Sequence, residues 1–192
     1  MALKRVLVFG DTHIPTRADS IPESFDSRIR KTHYDMALVT GDLVEEAAMR
    51  SVLPPLPQSF IVQGNMDVGA PRDFHCEVTV DELVILLLHG TELRPRGNIE
   101  QLSEIAAHVG ADITVHGHTH EPTVKPHAGR LFLNPGTVTG ATGGWGGRKD
   151  ASFIELEIDR SSVKVTLYLT NWKTDRVSTA LFRKSNGAMT SL

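Results

Sequence analysis

KRVLVFGDTH, residues 4–13, begins as a strand-length apolar run and breaks at Gly10 into a loop carrying a carboxylate and an imidazole. The pattern repeats along the chain. MALVT at 36–40 runs into Gly41-Asp42, SFIVQ at 59–63 runs into GNMD (64–67), and a strand predicted over 83–89 ends in His89-Gly90. A further strand at 113–116 delivers GHTH (117–120). Between these runs the spacing predicts helices over 23–33, 44–53 and 99–108; prolines at 54, 55 and 57 stop the second, and Gly110 lies just past the third. A short strand at 78–80 is joined to the one at 83–89 by a tight turn at Asp81 and Glu82.

The last third changes character. SFIELEID (152–159) sets Ile154, Leu156 and Ile158 against Glu155, Glu157 and Asp159, and VKVTLYL (163–169) alternates in the same way. Both are predicted as strands with one wet face, and 177–184 adds a third. Residues 185–192 show no pattern and are expected to fray. Strand–helix units followed by antiparallel strands predict an α/β fold, a layered α/β/β/α sandwich of two mixed sheets flanked by helices. It is expected to form one domain over residues 1–184.

With 192 residues and 40% hydrophobic content the chain has material for one sizeable core. A single cysteine, Cys76, rules out an internal disulfide framework and fits a reducing, cytoplasmic setting, with the thiol as a small buried hydrophobe. The apolar runs fall far short of the ~20 residues a membrane-spanning helix needs. Met1 leads almost directly into the first strand, with no signal peptide, and no membrane role is expected. A net charge of −3 supplies no basic surface, which argues against nucleic acid as a partner.

VHGHTH (115–120) places an imidazole at every second position, at His116, His118 and His120. Clustered neutral imidazoles are typical metal ligands, and Gly117 among them marks a turn or a close approach to the backbone. The other strand ends supply partners: Asp11 and His13, Asp42, Asn65 and Asp67, and His89. In layered α/β folds the carboxyl ends of strands converge on one rim, where ligands bind. Each dipeptide alone is ordinary turn chemistry. Five in order, all at strand ends, point to a shared site of oxygen and imidazole ligands.

GDTH (10–13), GD (41–42), GN (64–65), HG (89–90) and GHTH (117–120) resemble the ordered signature of the calcineurin-like metallophosphoesterases. The resemblance runs from about Val6 to Lys184. GDTHIP, GNMD and LNPGTVTGATG (133–143) are similar to the small single-domain phosphodiesterase branch, which also includes the retromer vacuolar-sorting subunit. The resemblance implies two divalent metal ions, Mn before Fe, Co, Ni or Zn, all of which suit a donor set without thiolate. Asp11, His13, Asp42 and His120 would hold the first ion, and Asp42, Asn65, His89 and His118 the second, with Asp42 bridging cations ~3.5–4 Å apart. His116 would support its neighbours by hydrogen bonding.

The same resemblance implies a small phosphodiester substrate, attacked in line by a hydroxide shared between the ions. Two ions bring about +4, two aspartates return about −2, and the hydroxide leaves about +1, a charge that suits a phosphate ester. Asn65 would donate to a phosphoryl oxygen, and Asp67 would orient a ligand or water. Met66 stands where many relatives carry a histidine that protonates the leaving group, so good leaving groups are favoured. The alternative implied by the retromer subunit is a non-catalytic interaction scaffold, for which the apolar stretch 53–60 offers a surface. Trp145, Trp172 and the glycine-rich run 139–147 suit either a loop beside the site or a homo-oligomer contact. His33, His75, His108 and His127 are expected at the surface or at helix ends.

Overall fold

The computed structural model describes residues 3–69, 71–144 and 147–192. Trp145 lies outside them. In chain order the elements are β1 (Lys4–Phe9), α1 (Glu23–Lys31), β2 (Met36–Val39), α2 (Glu46–Val52), β3 (Ser59–Ile61), β4 (His75–Val80), β5 (Leu83–Leu88) and α3 (Ile99–Val109). They continue with β6 (Ile113–Val115), β7 (Thr123–His127), β8 (Arg130–Asn134), β9 (Ala151–Asp159), β10 (Ser162–Thr170), β11 (Asp175–Ser185) and β12 (Ala188–Ser191).

Two mixed sheets result, with strand orders β12-β11-β10-β9-β1-β2-β3 and β4-β5-β6-β8-β7. Strands β1, β2 and β3 run parallel to one another, as do β5, β6 and β8; the remaining pairs are antiparallel. The strand period of two sorts side chains into layers. Val6, Val8, Ile154 and Leu156 of the first sheet meet Ile85, Leu87, Val115 and Leu133 of the second in one core between the sheets. Leu7 and Phe9 point the other way, into a core closed by Phe25 and Ile29 of α1 and Met49 of α2. On the far side, Leu86, Leu88 and Phe132 are covered by Leu102 and Ala106 of α3. These three cores make the α/β/β/α layering, and no helix among the described residues is long and apolar enough to cross a membrane.

α3 shows how local chemistry sets an element's bounds. Asn98 accepts hydrogen bonds from the backbone N–H groups of Glu100 and Gln101, and Gly110 ends the helix at φ 68°. The spacing had placed a second helix from residue 44, but α2 starts at Glu46. Asp42 and Val44 take φ values of 52° and 71°, which no helix accommodates.

Further expectations are corrected. Residues 185–192 do not fray throughout: Ala188–Ser191 form β12, paired antiparallel with β11 from Phe182↔Ser191 to Ser185↔Ala188. Met189 inserts into the inter-sheet core, and that one buried apolar residue gives too short a pattern to be read from sequence. The wet face of β9 fails at Glu155, which is 5% exposed beneath α1. The hairpin β7–β8 had no sequence assignment, since TVKPH carries a proline and is mostly exposed at a sheet edge. In the stretch 53–60, Leu53 is buried and Leu56 packs against the core under α1 and α2.

Candidate metal centre

The carboxyl ends of β1, β2, β3, β5 and β6 meet at one rim. Asp11, His13, Asp42 and His120 offer ligand atoms all within 4.8 Å of one another, and Asp42, His89 and His118 form a second such group. Asp42 belongs to both. Its Oδ2 lies 3.6 Å from His13 Nε2 and its Oδ1 lies 3.5 Å from His89 Nε2, so each carboxylate oxygen faces a different set of imidazoles. Asp11 Oδ1 is 3.3 Å from His120 Nε2, and the Nε2 atoms of His13 and His120 stand 3.1 Å apart. Asn65, an exposed residue, turns Oδ1 toward His89 Nε2 at 3.3 Å, so its amide nitrogen, on the other branch of the side chain, points away from that ring.

The backbone is bent to bring this about. Asp11, His13, Asp42, His118 and His120 all have positive φ, between 48° and 68°, a region non-glycine residues enter at a cost of order 1–3 kcal/mol. Gly117 is required by close approach: a Cβ there would lie 2.7 Å from Asp11 Oδ2 and 2.7 Å from Thr40 Oγ1. The Thr40 carbonyl accepts from His89 Nδ1 at 2.7 Å and the Ala141 carbonyl from His120 Nδ1 at 2.8 Å. With a hydrogen held on Nδ1, Nε2 is the ring atom turned to the centre, and it offers a lone pair to a cation once its own proton is displaced.

The donor set fits divalent cations. Asp11 Oδ1 and His13 Nδ1 are buried without a hydrogen-bond partner among the described residues, a costly state for polar atoms in a protein interior. Burial and the neighbouring His120 and Arg17 push the His13 pKa down to about 4, against the pull of Asp42 and Asp11, so that ring is neutral and able to ligate. Burial also opposes charge on Asp42 and His89. Their mutual hydrogen bond and charge outweigh it, holding Asp42 down to about 2 and His89 up to about 9. A cation at His89 Nε2 would displace that proton, as ligation by imidazole requires.

His116 lies outside both groups. It is buried, and its Nδ1 is 3.2 Å from the amide nitrogen of Asn134. Asn134 also donates to the Gly117 carbonyl and to Thr119 Oγ1, and its own oxygen accepts from Gly136 N–H, so it sets the shape of the 116–119 loop. Asp67 points away from the ligand atoms: Oδ1 accepts from the backbone N–H groups of Leu43 and Val44, and Oδ2 from those of Asp42 and Gly64. Four donors fill its oxygens, so it clamps the loop carrying Asp42 and has no acceptor left for a water. Sequence reading did not single out Asn134, Thr40 or Arg17. Only Asn134 had a signal, within LNPG. His33, His75 and His108 are exposed and His127 is half-buried, all away from the centre.

Residues 5–161 match the calcineurin-like phosphoesterase superfamily domain. A probable metallophosphoesterase of Methanothermobacter thermautotrophicus is 36% identical over 136 residues, which are 69% of this chain and 76% of that protein. Among solved structures, a single-mutant form of Vps29 from Entamoeba histolytica superposes with a TM-score of 0.85 at 29% identity, covering 93% of this chain and 99% of that one. Wild-type Vps29 of the same organism complexed with zinc gives 0.81 at 28% identity, covering 92% and 98%. With more than half its length inside the family domain and its histidines and aspartates gathered at one strand-end rim, the chain belongs to the calcineurin-like phosphoesterase superfamily.

Proposed function

We propose that this protein is a binuclear metal-dependent phosphodiesterase acting on small phosphodiesters with good leaving groups. The observation that carries the reading is Asp42, whose two oxygens face separate imidazole sets as a bridging carboxylate must. Divalent ions bound there, Mn foremost, would lower the pKa of a shared water and neutralise charge developing on the phosphoryl oxygens. The chain's own groups do the rest. Asp11, His13, Asp42 and His120 hold one ion; Asp42, Asn65, His89 and His118 hold the other. Thr40 and Ala141 fix two of the ring orientations, and the outward amide nitrogen of Asn65 donates to a non-bridging oxygen of the substrate.

A second reading, an interaction scaffold, draws support from the Vps29 structures, one of which, from Chaetomium thermophilum, is complexed with a cyclic peptide. The complete ligand set favours the enzyme. The test is hydrolysis of bis(p-nitrophenyl) phosphate by the purified protein with added Mn, again in excess chelator, and by Asp42→Asn and His116→Ala. Turnover should need metal. His116→Ala should lose roughly 10-fold and at most about 100-fold, as supporting residues do, while Asp42→Asn should lose more, with its metal content. Turnover surviving full chelation, or none with any divalent metal, would overturn the reading and promote the scaffold.

A further inference from the structure

Next to the ligand cluster lies a cavity of about 340 Å³, within the ~300–1,000 Å³ common for small-molecule sites. Arg96, Ile99, His116, Thr119, Lys125 and Phe132 line it. Thr119 stands between the ligands His118 and His120, so the cavity wall and the metal centre are one residue apart on the same loop. Gly97, which also lines the cavity, packs against that loop: a Cβ there would lie 2.9 Å from Thr119 Cγ2.

The wall chemistry is specific. Ile99 and Phe132 provide an apolar floor continuous with the core under α3. Neither Arg96 nor Lys125 forms an ion pair among the described residues. Glu121, the carboxylate on the rim, is engaged by Lys149 at 2.7 Å. The remaining walls are the buried His116 and the hydroxyls of Thr119 and Thr123. Two unpaired cations over an apolar floor, beside a site built for phosphate, select for a second negative charge on the same molecule.

We propose that this cavity is a second subsite of the same centre. It receives the non-reacting arm of the phosphodiester, and that arm bears a carboxylate or phosphate on an apolar or aryl stem. The inference rests on the phosphodiesterase reading and narrows its substrate class. Hydrolysis itself is unchanged: water attacks phosphorus, the bond to the leaving oxygen breaks, and the anionic arm stays on the product monoester.

Two measurements on the full chain test it. The first compares kcat/KM for 4-carboxyphenyl p-nitrophenyl phosphate with that for its 4-carbamoylphenyl counterpart; both release p-nitrophenolate, so the ratio reads the arm. A preference of roughly 3–10-fold for the carboxylate is expected, in line with exposed or half-exposed ion pairs. It should fall toward 1 in Arg96→Gln/Lys125→Gln and at high salt. The second follows backbone amide NMR shifts on titration with 4-carboxyphenyl phosphate, with and without zinc. Shifts centred on Thr119, Thr123 and Lys125, weakened in the double variant, support the subsite. A ratio near 1, a ratio the double variant leaves intact, or shifts confined to other surfaces would overturn it. If neither diester is hydrolysed with any metal while the shifts appear as expected, the phosphodiesterase reading fails and the anion subsite stands.

Discussion

Met66 follows Asn65 at the edge of the ligand cluster, with its backbone N–H on Asp42 Oδ1 at 2.8 Å and its sulfur 4.0 Å from a guanidinium nitrogen of Arg17. Neither side chain can hand over a proton near neutral pH, since a thioether has none and a guanidinium keeps its own. Charge therefore accumulates on the departing oxygen, and kcat/KM should fall steeply as the leaving group's pKa rises. General acid catalysis is typically worth about 10²–10⁴-fold, so Met66→His should flatten that dependence, helping alkyl leaving groups more than p-nitrophenolate. The check is kcat/KM against leaving-group pKa for both proteins, and a shallow slope in the parent would mean that another acid is in place. Position 66 was legible because a motif flanks it. Arg17 was not, since its contact with Met66 spans 49 residues of sequence and only the fold brings them together.

At the scale of elements, strand ends were legible and the loops between them were not. An apolar run that stops at a glycine and a polar residue announces a strand and its terminus from local chemistry alone, which is why β1, β2, β3, β5 and β6 and the gathering of polar side chains at their ends could be read. The clamp between two of those loops depends on backbone N–H groups, which every residue carries and no side-chain pattern reveals. Asp67, after β3, takes four such N–H groups and so holds the loop after β2 in the left-handed turns that aim Asp42. Replacing it by Asn keeps one accepting oxygen and turns an NH₂ toward two donors. Leaving backbone donors unsatisfied costs about 1–3 kcal/mol each, so Asp67→Asn should lower stability by at least that much. Metal affinity should weaken with it, because Asp42 loses its fixed direction. Denaturant unfolding and metal titration check this. Unchanged metal affinity in a destabilised protein would show that the Asp42 loop holds its shape without the clamp.

At the scale of the whole molecule, a charged residue that the alternation of β9 assigns to solvent ties several elements together. Period-two patterning tells which residues share a face but not what covers it, and here α1 lies over that face. Glu155 accepts two hydrogen bonds from Arg28 of α1, at 2.9 and 2.8 Å, one from Tyr34 in the α1–β2 connection and one from Tyr168 of β10 at 3.0 Å. Arg28 in turn stacks over the Tyr168 ring, 5.3 Å from its centroid. Burial opposes the charge of Glu155, but Arg28, Tyr34 and Tyr168 outweigh it and hold its pKa below the ordinary glutamate value. A carboxylate whose pKa is lower folded than unfolded adds stability at pH above its unfolded value, and that contribution drains away as pH falls through the folded one. Glu155→Gln should therefore be less stable than the parent at pH 7 by about 1–3 kcal/mol, a range discounted because Arg28 is partly solvated. The gap should narrow as pH falls below the ordinary glutamate range, where the unfolded chain takes up the proton first, and close as the folded carboxylate takes it up in turn. Unfolding free energies of both proteins measured from pH 7 to pH 3 decide it. A gap that stays constant over the whole range would mean that the stabilisation comes from shape and hydrogen bonding alone, without the charge.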